Sequence, residues 1–192
     1  MEGRVDMKRE EAIGLFEQMH PGFFEKPYIK AMAKGNVYEE MTLALADFSG
    51  DALTIAVPQG ITFGMYEADD LAALRESVAL VDAGWVQYFD KKDNVFCAFD
   101  GEKVVSFCLL DDMGTHELCA KATRVAGPGC VGTIPAYRKL GIGLRMVQLA
   151  TQILKERGYE ISYIHYTGVG PWYAKLGYET MLYWDRDGFV EK

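Results

Sequence analysis

The segment from Arg138 to Gly143 combines two basic side chains with two glycines and lies between two different apolar patterns. The residues before it are typical of a short strand, whereas Leu144 to Arg157 have the apolar spacing of an amphipathic helix. Free backbone N–H groups and the positive dipole end of a helix start favour a bound phosphate. Glycines let a bulky anion approach the backbone closely, and Arg138 and Lys139 add positive charge. The segment therefore predicts a phosphate-binding turn.

The elements that must position this turn follow from the surrounding pattern. Downstream, the sequence predicts a strand at Ile161 to Tyr166, a short helix at Trp172 to Leu176 and a strand at Met181 to Trp184. Upstream, the Asp100-Gly101 pair indicates a hairpin turn between strands at 94–99 and 103–110. Further predictions are strands at 53–57, 61–66 and 116–125, a loop at 111–114, and a helix that carries Leu71, Leu74, Val78 and Val81.

Residues 1 to about 50 are predicted to be helical. Apolar residues at helical spacing indicate a helix at 9–20, and Asn36 followed by Glu39 resembles a capping box that would start another. We therefore expect a helical N-terminal extension at 1–50, packed on the domain formed by 51–192.

Composition limits the functional classes. The net charge of -8 argues against a nucleic-acid partner, and no apolar run is long enough for a membrane span. The charged start of the chain has no secretory signal pattern, so we expect a cytoplasmic protein. The four cysteines lie 11 residues apart without a C-x-x-C pair, and the three histidines are scattered, so the sequence predicts no metal site.

Two motifs together resemble the Gcn5-related N-acetyltransferase (GNAT) superfamily. Arg138, Gly141 and Gly143 fit its pattern of glutamine or arginine, two residues, glycine, one residue, and glycine or alanine. The run from Tyr173 to Tyr178 is similar to its late motif of tyrosine, two residues, leucine or phenylalanine, glycine and aromatic. The strong resemblance covers about 130 to 179, and it does not extend to residues 1–50.

The resemblance implies a fold and a donor. The fold is a single α/β (α+β) domain with a mixed, mostly antiparallel sheet, splayed at its centre and flanked by helices. The donor is acetyl-CoA, with its pyrophosphate on the turn and its pantetheine arm beside the preceding strand, which bulges in this family. The implied donor-binding residues are Val131, Gly132, Thr133, Arg138, Lys139, Leu140, Gly141, Ile142, Gly143 and Tyr173.

The resemblance also implies direct attack of a primary amine on acetyl-CoA in a ternary complex. Tyr173 matches the family tyrosine that protonates the leaving thiolate of CoA. Many relatives carry a glutamate on the strand before the turn, but residues 125–134 contain no acidic side chain. The general base therefore stays open among Asp111, Asp112, His116, Glu117, His165 and a chain of waters.

The acceptor is open as well. A small-molecule amine is the first expectation, and a protein N-terminus or lysine is the alternative. The missing strand carboxylate also motivates a different class, a CoA-binding sensor or interaction domain without catalysis. The N-terminal extension can serve as an acceptor wall or as the contact of a homodimer, and the sequence does not choose between them.

Overall fold

The computed structural model describes residues 7–191; residues 1–6 and 192, which belong to the expected N-terminal extension and to the C-terminus, lie outside the described part. The helices are α1 (Arg9–Met19), α2 (Pro27–Lys30), α3 (Ala72–Ala79), α4 (Ile142–Glu156) and α5 (Gly170–Tyr173). The strands are β1 (Tyr38–Ala44), β2 (Ile61–Met65), β3 (Val95–Asp100), β4 (Lys103–Leu118), β5 (Lys121–Thr133), β6 (Ile161–Thr167), β7 (Glu179–Asp185) and β8 (Gly188–Val190). Short 3₁₀ helices cover Phe23–Glu25, Ala83–Tyr88, Pro135–Tyr137 and Ala174–Leu176.

The described strands form one eight-stranded sheet in the order β2-β3-β4-β5-β6-β1-β7-β8. The hairpin β3–β4 and the pairs β2–β3, β1–β6, β1–β7 and β7–β8 are antiparallel. By contrast, β5 and β6 run parallel, with register partners at Val125–Ile161 and Ala126–Ser162. Helix α4 connects β5 to β6, as a parallel crossover requires. The predicted mixed, mostly antiparallel sheet with flanking helices is therefore confirmed.

The chain divides into two compact units. The first unit comprises the residues up to Phe48, Asp112–Ala126 and the residues from Gly158 on; the second unit comprises Ser49–Asp111 and Gly127–Arg157. In the first unit, aromatic side chains of α1 and its following turn pack on Leu182 and Trp184 of β7. In the second unit, one cluster joins α3 to β3 and β4, and another joins Ile142 of α4 to Ala98 and Val105.

The helix predicted from Asn36 onward is wrong, because this stretch contains strand β1. Met41, Leu43 and Leu45 are spaced by two residues, which is the period of a strand, and the capping-box resemblance concealed it. Strand β1 pairs with β6 on one side and with β7 on the other. The expected extension is thus helical only up to Lys30, and it then supplies an interior strand. A domain boundary near residue 50 stays a prediction.

The prediction for 111–125 is also wrong. Strand β4 continues to Leu118 through the expected loop at 111–114, and the expected single strand at 116–125 is interrupted by a turn. The turn residues Cys119 and Ala120 have φ values of 51° and 58°, so they reverse the chain into β5. Strand pairing here overrides the low strand propensity of Asp and Gly.

Most other predicted elements are present with shifted ends. The structure confirms strands β2, β3, β4, β6 and β7, together with helices α3 and α4. The predicted strand at 53–57 is irregular, and strand β8 was not predicted. None of the helices in the described part of the chain combines the length and hydropathy needed to cross a bilayer.

Candidate active site

The turn before α4 has the backbone expected of an anion site. Lys139 and Gly141 both have positive φ, 63° and 79°, and they turn the chain sharply before the helix begins at Ile142. No side chain caps this helix, and its first turn holds no acidic residue. The first N–H groups of the helix have no acceptor within it, so the turn offers backbone donors and no negative charge.

The side chains of the turn differ in their surroundings. Arg138 is exposed, and its Nε donates to the carbonyl oxygen of Thr133 at 3.0 Å, which fixes the turn to the end of β5. Lys139 is exposed and Leu140 is 43% exposed, whereas Ile142 is 1% exposed and packs in the core of the second unit. Ile142 therefore anchors the start of α4 by its side chain.

Strand β5 is distorted where the pantetheine arm is expected. Cys130 has a φ of 45°, so extended backbone is interrupted one residue before Val131. At Gly132 an added Cβ would lie 2.4 Å from the ring of Phe107, so this position requires glycine. The Ser106 hydroxyl donates to the Gly132 carbonyl at 2.7 Å and lies 2.9 Å from the hydroxyl of Thr133. The bulge that the resemblance implies is thus matched by a local departure from regular strand geometry.

The carboxylate of Asp111 lies against this part of β5. Asp111 belongs to β4, not to a loop, and an added Cβ on Gly129 would lie 2.2 Å from its Oδ2. Burial raises the pKa of Asp111, and Lys91 opposes that rise. Asn94 contributes a long contact of 3.5 Å from its Nδ2 to Oδ1. Although β5 carries no acidic side chain, its neighbouring strand places a partly buried carboxylate on Gly129.

Three of the other base candidates have local roles in the first unit. Asp112 is exposed and accepts from the N–H of Gly114 at 2.9 Å, as in an Asx turn. The Nε2 atom of His116 lies 2.7 Å from the Met113 carbonyl oxygen, and Glu117 is exposed. Local contacts thus account for Asp112 and His116, and Glu117 lies on the surface.

Tyr173 lies at the end of α5 in the first unit. Its side chain is largely buried, with 6% exposure, and it contacts the rings of Trp172 and Tyr178 edge-on. Thr167 supports the turn before α5, because its hydroxyl accepts from the N–H of Val169 at 3.1 Å.

His165 lies in a bulge of β6, opposite Glu40. The register passes from Glu39–Thr167 to Met41–Ile164, so two residues of β6 face one residue of β1. The Nδ1 atom of His165 lies 2.9 Å from Oε2 of Glu40. Tyr166, with a φ of 56°, donates its backbone N–H to Oε1 of Glu40 at 3.1 Å.

Sequence reasoning missed the buried cluster around Glu40. Glu40 is fully buried, and Trp184 Nε1 also donates to it at 2.7 Å. The ring of His20 stacks on His165 with centroids 3.9 Å apart, and burial lowers the pKa of His20 to about 3. Burial, followed by the Glu40 charge, holds the pKa of Tyr163 well above its usual value. No sequence signal links these positions, because they lie in separate elements far apart in the chain.

The glycine-containing turn before α4 and the distorted strand β5 indicate a protein that binds a phosphate-bearing ligand, and comparison with known families identifies its family. The family model described as "Acetyltransferase (GNAT) domain" matches residues 61–181, which is more than half of the chain. The chain therefore belongs to the GNAT acetyltransferase family, as the two motifs indicated. No curated protein matches the chain.

Solved structures agree on the fold. The glucosamine N-acetyltransferase region of a fungal multi-domain GH3 β-N-acetylglucosaminidase is similar at a TM-score of 0.63 with 20% identity, covering 95% of this chain and 23% of that protein. A GCN5-related N-acetyltransferase from Sphaerobacter thermophilus is similar at a TM-score of 0.54 with 20% identity, covering 88% of this chain and 52% of that one. A GCN5-related N-acetyltransferase from Kribbella flavida is similar at a TM-score of 0.55 with 19% identity, covering 87% of this chain and 63% of that one. The chain thus spans less than two thirds of each, and the likeness concerns the fold.

Proposed function

We propose that the protein transfers the acetyl group of acetyl-CoA to a primary amine. The observation that carries this proposal is the uncapped start of α4 behind a distorted β5, in a chain of the GNAT acetyltransferase family. Backbone N–H groups at such a helix start suit the pyrophosphate of a CoA thioester.

The donor-binding residues of the proposal are those of the second unit named from the sequence. The turn from Arg138 to Gly143 takes the pyrophosphate through its backbone. Val131, Gly132 and Thr133 follow the interruption at Cys130, so their backbone groups are the candidates for bonds to the pantetheine arm. In this proposal the N–H of Val131 stabilises the negative charge that develops on the thioester carbonyl oxygen.

The chemistry requires two proton transfers. The amine nitrogen of the acceptor loses a proton to a base and forms a bond to the thioester carbonyl carbon. The carbon–sulfur bond then breaks, and the CoA sulfur takes a proton from a general acid. We assign the acid to Tyr173 on the strength of its match to the family motif; it belongs to the first unit, and the assignment rests on the resemblance.

We favour Asp111 as the base over His165. Asp111 belongs to β4, but its carboxylate lies against Gly129 of β5, and its raised pKa brings a carboxylate closer to the range in which it accepts protons efficiently. The imidazole of His165 is already engaged by Glu40, so His165 is the second choice for the base. Asp112, His116 and Glu117 are not retained, because local contacts or exposure account for them.

The deciding experiment measures CoA release from acetyl-CoA with a panel of amines. The panel contains small polyamines, amino sugars and peptides with a free N-terminus or lysine, so that the acceptor class is read from the same assay. We expect turnover with a small amine, and we expect Asp111→Asn to reduce it by about 100-fold or more while acetyl-CoA still binds. Binding without turnover on every amine would instead favour the sensor that lacks catalysis.

Several further expectations accompany the proposal. A small-molecule acceptor, a cytoplasmic location and the absence of a nucleic-acid or membrane partner stay predictions from composition and resemblance. A homodimer is equally a prediction, and size-exclusion chromatography with light scattering measures it directly.

A further inference from the structure

The first unit holds a group of metal-ligating side chains that the proposed reaction, with Asp111 as its base, does not use. His20 follows α1 as its C-cap, Glu40 lies in β1 and His165 lies in β6. One ring nitrogen of each histidine and one carboxylate oxygen of Glu40 all lie within 4.8 Å of one another. Three separate elements therefore bring two imidazoles and one carboxylate to one point.

Two polar atoms of this cluster are buried without a hydrogen-bond partner. Among the described residues, the Nε2 atom of His20 and the hydroxyl of Tyr163 are both buried and unpaired. An unsatisfied buried polar group costs on the order of 1–3 kcal/mol. Two such atoms beside a fully buried carboxylate point to an occupant that completes the site.

We propose that His20, Glu40 and His165 bind a divalent transition-metal ion such as Zn²⁺. Imidazole nitrogens and a carboxylate oxygen are common ligands of zinc and of the later first-row metals. The single negative charge of Glu40 offsets part of the charge of the ion in a buried setting. A water molecule or the hydroxyl of Tyr163 would complete a four-coordinate site.

The positions of the three side chains come close to those of a tetrahedral zinc site, but some of them must move for an ion to bind. With zinc–ligand bonds of about 2.1 Å, tetrahedral ligand atoms lie roughly 3.4 Å apart. His165 Nδ1 lies 2.9 Å from Oε2 and 3.1 Å from Oε1 of Glu40, so these two side chains need only move slightly apart to reach that spacing. The rings of His20 and His165 are nearly parallel, at 18°, so His20 must turn for its lone pair to converge on the same ion. Binding also displaces the proton shared between His165 and Glu40.

The surroundings hold Glu40 in place for this role. Trp184 Nε1 and the backbone N–H of Tyr166 both donate to its Oε1, which leaves Oε2 for the ion. Hydrogen bonds of this kind orient ligands in metal sites. Since the side chain of His165 is 26% exposed, an ion can enter from the surface.

The inference is independent of acetyl transfer, and its test needs no substrate. The protein is stripped with a chelator and dialysed against ZnCl₂, and bound zinc is measured by mass spectrometry; CoCl₂ is used in parallel for its visible absorption. We expect one ion per chain, an intense d–d band typical of four-coordinate Co²⁺, and a higher Tm with zinc, because a ligand that binds only the native state stabilises it.

Matched variants locate the site. His20→Phe keeps a ring among the aromatic side chains of this cluster, so we expect a folded protein with zinc affinity at least about tenfold weaker. Cys119→Ala removes the exposed thiol, a competing surface ligand, and His116→Ala removes the remaining histidine; both should bind zinc as the wild type does. Absence of bound metal in the wild type, or unchanged zinc affinity in both His20→Phe and His165→Phe, would overturn the proposal.

Discussion

Two partly or fully buried carboxylates illustrate how surroundings decide the behaviour of a residue. Glu40 receives three donors, from His165, Tyr166 and Trp184, and its negative charge is well compensated. Asp111 has a single long contact with Asn94, and burial raises its pKa. The first arrangement suits a fixed ligand or structural anion, and the second suits a group that exchanges a proton.

The tyrosine assigned as general acid gives the first prediction at this scale. Tyr173→Phe removes one hydroxyl from a largely buried ring, and we expect the acetylation rate to fall about 100-fold. The affinity for acetyl-CoA, measured by calorimetry, should change much less than the rate.

Tyr178→Phe is the matched control. It removes a hydroxyl from the same motif, one that lies 2.7 Å from the hydroxyl of Ser162. We expect it to lower stability with little effect on turnover. Equal rates for Tyr173→Phe and the wild type would remove Tyr173 from the mechanism.

Asp111 gives a prediction about pH. Because the pKa of the folded state is raised above that of the unfolded chain, the ionised carboxylate destabilises the fold. This cost is absent below the pKa of the unfolded chain, grows as pH rises towards the raised pKa and is complete above it. Asp111→Asn should therefore increase the Tm at neutral pH, and the increase should vanish in acid.

The same substitution should reduce turnover by about 100-fold or more, since an amide is not a base. A variant that is more stable but inactive would separate the catalytic role of the carboxylate from any role in folding. If the higher Tm of Asp111→Asn persisted unchanged in acid, the buried charge of Asp111 would not be the cause of the difference in stability.

At the scale of an element, the turn before α4 depends on one glycine. Gly141 has a φ of 79°, and an added Cβ would lie 2.3 Å from the carbonyl oxygen of Ala56. We expect Gly141→Ala to combine left-handed strain of about 1–2 kcal/mol with a clash against backbone, and to lower both stability and CoA affinity.

Gly60→Ala is the control for that strain. Gly60 has a φ of 92° with nothing within 4 Å of an added Cβ, so only the conformational cost applies. Chemical denaturation of both variants should show a larger loss for Gly141→Ala. Similar losses in the two proteins would mean that Ala56 moves away freely.

At the scale of the whole molecule, the sheet depends on a strand from the start of the chain. Thr42 in β1 pairs with Tyr163 of β6 and with Glu179 of β7, so β1 is an interior strand. Thr42→Pro removes a backbone donor and should destabilise the protein by roughly 3 kcal/mol or more. Thr42→Val keeps the backbone and the branched side chain, and should remain close to the wild type in denaturant unfolding.

Residues 1–50 show why the sequence could not settle this assembly. Their helix at 9–20 was predictable from local apolar spacing, whereas β1 receives its hydrogen bonds from residues more than 100 positions away. The same applies to 111–118, where pairing extends a strand through Asp and Gly residues that favour loops in isolation.

The sequence by itself determined the features that depend on neighbouring residues. The turn from Arg138 to Gly143, the helix after it and the late motif at Tyr173 are local patterns, and they were sufficient to indicate the family and the expected donor. Only the tertiary structure brought Asp111 onto Gly129, and only it joined His20, Glu40 and His165. These contacts depend on strand register and side-chain packing between distant segments, which local periodicity does not encode.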